Sequence, residues 1–182
     1  DPRDALVGQV TKNDFVIGTG SLRRQSQLKQ LFPKALMKGI RGNVDTRIAK
    51  MEAGEADCVV LAMAGLNRLS IERDDIRPLS FEESIPAAGQ GALGIQCLTV
   101  RADVREILQS IHDPNTEAEI LVERAFLEKF GGGCHVAAGC IAEFNTGWIS
   151  ARAFAEVDGQ VKTVSGQGDN SVALGESLAE QC

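Results

Sequence analysis

Two groups of residues in this chain could do chemistry. The first is Gly131-Gly132-Gly133-Cys134-His135. Three glycines permit backbone angles closed to other residues. They can end a helix with a left-handed cap and leave the next side chain, a thiol, on an accessible loop. A cysteine so displayed is a candidate nucleophile or attachment point. The same residues also read as a helix C-cap followed by a half-buried cysteine, the commoner use of a free Cys. The second group is cationic: Arg23, Arg24, Arg41 and Arg47, with Arg68 further on. A guanidinium grips carboxylate or phosphate through a planar, bidentate fork. Arg23, Arg24 and Arg47 fall in the first turns of expected helices, where a cation opposes the helix dipole. An anionic ligand supplies a reason for them; ordinary solvated arginines are the alternative.

The elements that must position these groups follow from the hydrophobic pattern. Residues 15–18 read as a short buried strand, with Ser21 as the N-cap of a helix over 22–32 whose inner face is Leu22, Leu28, Leu31 and Phe32. A second strand is expected over 35–40. Asn43 then caps a helix that places Val44, Ile48 and Met51 on one face. A third, continuously apolar strand runs over 58–63. This order is βαβαβ, which implies parallel strands buried on both faces. Ligands collect at the carboxyl ends of such strands, where Thr19, Ser21, Arg23 and Arg24, then Arg41, Asn43 and Arg47, then Arg68 all fall.

Residues 69–83 are polar and turn-rich and lead out of this unit. A strand is expected over 93–99. An amphipathic helix is expected over 102–112, with Val104, Ile107, Leu108 and Ile111 as its stripe, and a longer helix over 116–130, capped by Asn115 or Thr116. Beyond Cys134 the period changes to two. Strands over 136–144, 148–157 and 160–165 are separated by Asn145-Thr146-Gly147 and Asp158-Gly159 turns, and a last helix starts near Asn170 or Ser171. The fold class is therefore α/β: a parallel βαβαβ domain, resembling the periplasmic-binding-protein type, then a small α+β domain with a three-stranded antiparallel sheet.

Composition narrows the function. The net charge of -6 is uneven: the first fifty residues hold ten Lys/Arg against four Asp/Glu. A basic first third in an acidic chain implies a localised anion site. With no Tyr and one Trp, the chain lacks the stacking aromatics of a nucleic-acid binder. No window reaches the ~18 apolar residues of a membrane span. Five cysteines, an odd and scattered set, make no disulfide framework and point to a reducing cytoplasm. Cys134, His135 and Cys140 lack the paired spacing of a zinc site, so no metal is expected.

Taken jointly and in order, five motifs give this chain a resemblance along essentially its whole length. They are Gly18-Thr19-Gly20-Ser21-Leu22-Arg23-Arg24, Arg41-Gly42-Asn43-Val44-Asp45-Thr46-Arg47, Leu61-Ala62-Met63-Ala64-Gly65-Leu66-Asn67-Arg68, Ala88-Gly89-Gln90-Gly91-Ala92 and Gly131-Gly132-Gly133-Cys134. The chain resembles the porphobilinogen deaminase (hydroxymethylbilane synthase) family. That resemblance implies a transferase joining four porphobilinogen molecules head to tail into hydroxymethylbilane with release of ammonia, on the route to haem. It implies a dipyrromethane cofactor attached by a thioether to Cys134. It assigns Arg23, Arg24, Arg41 and Arg47 to the acetate and propionate groups of the cofactor, the porphobilinogen and the growing polypyrrole, with Thr19, Ser21, Asn43, Ala62 and Gln90 lining the site. Gly20 departs from the hydroxyl residue usual in the family. The resemblance makes residues 1–88 domain two, 89–113 the return segment of domain one, and 114–182 the C-terminal domain carrying Cys134. Most of domain one, with its catalytic aspartate, would precede Asp1. The 182 residues alone are then expected to be inactive and open to self-association through orphaned apolar surface, the parent being a monomer. A non-catalytic anion-binding module is the alternative; it explains the arginines equally well but not the glycine-cysteine loop.

Overall fold

The first domain is built on alternation. In β1 (Asp4–Gly8), Ala5 and Val7 face one side of a sheet and Leu6 the other. In β4 (Cys58–Ala62), Val59 and Leu61 join the first side, Cys58 and Val60 the second. Both strands are therefore buried on both faces. The structure, a computed structural model, describes residues 1–10, 14–131 and 136–182. Between β1 and β4 come β2 (Val16–Gly18), α1 (Leu22–Leu31), β3 (Leu36–Lys38) and α2 (Val44–Glu52). After β4 come α3 (Met63–Arg68) and β5 (Ile76–Pro78). The sheet order is β3-β2-β4-β1-β5. β2 pairs in parallel with β3 and β4, as the βαβαβ pattern requires.

The wholly parallel expectation needs correcting, because β1 is antiparallel to both β4 and β5. The sheet is mixed. Residues 69–83 do not simply leave the domain: β5 closes the edge of the sheet, and Leu79 N donates back to Asp4 O at 2.8 Å.

α1 also differs from expectation. Its apolar residues Leu22 and Leu31 are exposed, and its buried face is Arg23, Arg24, Ser26 and Leu28. Two guanidinium groups thus occupy the position that periodicity gives to leucines.

No strand forms over residues 93–99. Leu93, Leu98 and Val100 are 80%, 72% and 85% exposed, and no residue of α4 (Ala102–Gln109) is buried. The stripe of α4 is real, yet Ile107 and Ile111 face solvent. An isolated strand has nothing to pair with, and its backbone groups are left to water.

The second domain holds α5 (Pro114–Lys129), β6 (Ala138–Asn145), β7 (Trp148–Val157), β8 (Gln160–Gly168) and α6 (Ser171–Gln181). Asp113, rather than Asn115 or Thr116, caps α5: its Oδ1 accepts from the N–H groups of both at 3.0 Å. Pro114 then occupies the first helical turn, where its missing N–H costs nothing. The antiparallel order β6-β7-β8 matches the expected meander. Its turns, Thr146-Gly147 and Asp158-Gly159, have positive φ at both positions, the type I′ geometry.

One face of this sheet packs Cys140, Ala142, Ala151 and Ala153 against Val122 and Phe126 of α5 and Leu178 of α6. The helices cross at Gly175. A Cβ added there would stand 2.3 Å from Val122 O and 2.8 Å from Phe126 N. Backbone, not a flexible side chain, is the obstacle. Gly175→Ala is therefore expected to force α5 and α6 apart and lower stability by about 2 kcal/mol, read from the urea midpoint. An unchanged midpoint would show that the crossing relaxes freely.

Candidate anion site

The site forms where the helices after β2 and β3 begin. Thr19, buried, accepts from Ser21 N through its Oγ1 at 3.2 Å, and Ser21 Oγ accepts from Arg24 N at 3.4 Å. This double turn starts α1 and aims Arg23 and Arg24 inward. Asn43 does the same for α2: its Oδ1 accepts from Thr46 N at 2.9 Å. Gly42, at φ 133°, lets the loop fold onto Thr46, which a Cβ would strike at 2.7 Å. Arg47 then lies back along the loop, its Nε donating to Gly42 O at 2.8 Å.

Asp4 is the centre of the cluster. It is fully buried, and Arg23 and Arg24 are 6% and 8% exposed. Arg23 Nη1 and Nη2 donate to Asp4 Oδ2 and Oδ1 at 2.7 and 3.1 Å. Arg24 Nε and Nη2 donate to Oδ1 at 3.1 and 2.8 Å. Ser84 Oγ donates to Oδ2 and Gln90 Nε2 to Oδ1, each at 2.9 Å. Arg23 also donates to Ile85 O at 2.6 Å and Arg24 to Val60 O at 2.9 Å. Arg23 and Arg24 are not ordinary solvated arginines, the alternative reading: both are interior, and both hold the same carboxylate of their own chain.

The charges do not balance. Burial alone would raise the Asp4 carboxyl, but two guanidinium charges and their hydrogen bonds outweigh it and hold it well below the usual carboxylate range. Arg23 shifts in the unfavourable direction: burial lowers its pKa, Asp4 offsets this only in part, and Arg24 adds repulsion. One carboxylate serves two cations. Arg47 is lowered too, first by burial and then by repulsion from Arg24. Arg41 is exposed, and among the described residues nothing accepts a hydrogen bond from its guanidinium. The cluster has cationic capacity to spare for anions, and no neutral acid or base for proton transfer.

The other expected residues lie nearby with more modest parts. Gln90 spans Asp4 and Pro2 O, the latter at 2.7 Å. Ala62 ends β4 and precedes α3 without a side-chain cap. Arg68 is exposed at the far end of α3. Cys134 lies outside the described residues. Gly131, just after α5, has φ 79°, the left-handed angle its position calls for. Of the described cysteines, burial pushes Cys58 up to about 12 and raises Cys140 and Cys182 as well, which makes all three poor nucleophiles. Among the described residues no group of three or more His, Cys, Asp or Glu could hold a metal ion, and no helix is long and apolar enough to cross a membrane.

Asp4 and Ser84 escape sequence reasoning. The available signal was indirect: two adjacent buried arginines require a counter-ion, and Asp4 is the charge at the head of the apolar run Ala5-Leu6-Val7. The site also touches the second domain. Gln90 follows Gly89, whose N–H donates to Glu123 of α5 at 2.6 Å, while Ala142 N of β6 donates to the other oxygen at 3.1 Å.

A family model described as "Porphobilinogen deaminase, dipyromethane cofactor binding domain" matches residues 1–106. One described as "Porphobilinogen deaminase, C-terminal domain" matches residues 117–182. The chain is 40% identical to a porphobilinogen deaminase of Chromobacterium violaceum, over all of this chain and 62% of that protein. It is 43% identical to one from a Nostoc species, over 99% of this chain and 60% of that protein. The chain thus spans about three-fifths of the length of these curated relatives.

Proposed function

Because the chain belongs to the porphobilinogen deaminase family, we propose that it is the cofactor-holding part of a transferase that joins four porphobilinogen molecules into hydroxymethylbilane with loss of ammonia. The observation that carries this is the charge imbalance: two buried arginines on one aspartate, with a third, Arg47, that feels the repulsion of Arg24. Porphobilinogen and its oligomers bear two carboxylates per pyrrole ring, the ligand such a cluster favours.

The residues present fit dipyrromethane, whose carboxylates match the uncommitted N–H groups of Arg24, Arg41 and Arg47. When bound through a thioether at Cys134, that group supplies the pyrrole carbon to which substrate is added. Arg41 and Arg47 would hold ligand carboxylates, and Arg23 and Arg24 would do so while fixed by Asp4, Ile85 O and Val60 O. Thr19, Ser21 and Asn43 hold the two helix starts that aim these side chains. Residues 89–113 would be the return segment of a further domain, which would cover the exposed apolar residues Leu93, Leu98 and Ile107.

Intact mass measurement tests the covalent reading. The chain as purified is expected to carry two pyrrole units on Cys134, each joined with loss of ammonia, and Cys134→Ser to carry none. A wild-type chain that binds porphobilinogen yet stays unmodified would make it a non-catalytic anion-binding module. Steady turnover is not expected of these 182 residues. The carboxylate held against the arginines, Asp4, is saturated by them and cannot also stabilise a cationic pyrrole nitrogen. Formation of hydroxymethylbilane by the purified chain would overturn that expectation.

A further inference from the structure

We infer that Asp4 is a positioning residue: it sets the planes of the Arg23 and Arg24 guanidinium groups, and so decides which of their N–H groups remain for a ligand. The inference rests on reading this site as a carboxylate receptor. Each guanidinium has five N–H donors. Asp4 and one backbone carbonyl take three from Arg23 and three from Arg24. Two remain on each, in directions that Asp4 determines. Without it, both side chains are free to rotate about their long stems and to part under mutual repulsion.

Asp4 is itself held as a template would be. Its backbone is in β1, paired on both sides. Its carboxylate accepts from two neutral donors, Ser84 Oγ and Gln90 Nε2, which fix the plane without adding charge. Ser84 is fully buried and sits beside Ile85, whose carbonyl accepts from Arg23 and from Gln27. The polar contacts of the pair thus form one interlocked set. A residue serving only to dilute positive charge would need none of this.

Asp4→Asn separates the two roles because they predict opposite signs. The exchange keeps shape but raises the net charge of the cluster by one. If Asp4 only neutralised charge, carboxylates would bind more tightly. A positioning role predicts weaker binding, because the Asn amide turns an N–H toward guanidinium N–H groups. Porphobilinogen, with acetate as a bare carboxylate probe, would be titrated into wild type, Asp4→Asn and Ser84→Ala, following the arginine Nε–Hε resonances. We expect about tenfold weaker binding for Asp4→Asn, and about threefold for Ser84→Ala, the scale of one lost hydrogen bond. The Arg24 Nε–Hε signal should shift and exchange faster in both. Should Asp4→Asn fail to fold, Ser84→Ala decides. A folded variant that matches or exceeds wild-type affinity overturns the inference. Wild type binding acetate but not porphobilinogen would sink the proposed substrate, and acetate affinities would then judge Asp4. Wild type binding neither would end both.

Discussion

Replacing Arg23 and Arg24 together with methionine is expected to cost far more stability than the two single replacements added. Remove Arg24 alone, and Asp4 and Arg23 remain as a neutral, bidentate pair. The loss is two charge-assisted bonds and the partner of Val60 O, about 2 kcal/mol after relaxation. Arg23→Met is similar, and milder at Ile85 O, which keeps Gln27 Nε2 at 3.0 Å. With both gone, a fully buried carboxylate retains only Ser84 and Gln90. An uncompensated buried charge of this kind costs roughly 3–5 kcal/mol beyond the hydrogen bonds already lost in the singles, so the double exceeds their sum by about that much, a large part of the roughly 5–15 kcal/mol that holds a domain folded. The pH response should reverse as well. In wild type the depressed Asp4 pKa adds stability that is present above its unfolded value of 3.8 and lost as pH falls below it. In the double variant the carboxyl prefers to be neutral, so acid should stabilise. Adding Asp4→Asn should restore the denaturation midpoint but not the carboxylate binding. Singles that sum to the double would mean that Asp4 is already neutral in the folded chain.

The same cluster marks the limit of what the sequence made legible. Strand β4, the Asn43 cap and the Ile48–Met51 face were readable because each depends on neighbours within a few residues. So were the two hairpins, whose Thr146-Gly147 and Asp158-Gly159 turns carry their own instructions. β1 was not readable. It opens on a charged residue, and its pairing with β4 joins Asp4 to Ala62 across most of the domain. β5 is three residues long and ends in proline, which reads as loop until an edge exists for it to complete. The inner face of α1 was misjudged for a related reason. Periodicity ranks Leu22 and Leu31 above arginine for burial, and that order holds only while no counter-ion is inside. Asp4, nineteen residues upstream of Arg23, reverses it. By type and spacing the arginines read as a candidate anion site; that the carboxylate Arg23 and Arg24 hold belongs to the chain itself was not legible.

A second large effect is expected at Glu123, and it runs the other way with pH. Glu123 is 3% exposed and joins the domains, its two oxygens accepting from Gly89 N and Ala142 N. Those bonds favour the carboxylate, but burial opposes it more strongly, Glu119 adds like charge, and the pKa rises to about 7. Among the described residues no cation answers it. A folded pKa above the unfolded 4.5 means stability fully present below pH 4.5 and lost as pH rises through about 7. The gap corresponds to a loss of about 3 kcal/mol between those limits. Asp4 does not confuse the measurement, because its own window lies below pH 4. Denaturation midpoints of wild type should therefore fall from pH 5 to pH 8, with Glu123→Gln flat across that range. Glutamine will cost something of its own, since its amide faces a backbone N–H, but that cost does not vary with pH. The loss should concentrate where the segment at Gly89 meets β6. There Gly139 has no room for a Cβ, which would stand 2.5 Å from Pro86 O. Amide exchange at Gly89 and Ala142 should quicken above pH 7 by more than its intrinsic rise. Parallel pH profiles for wild type and Glu123→Gln would show that a cation reaches this carboxylate after all.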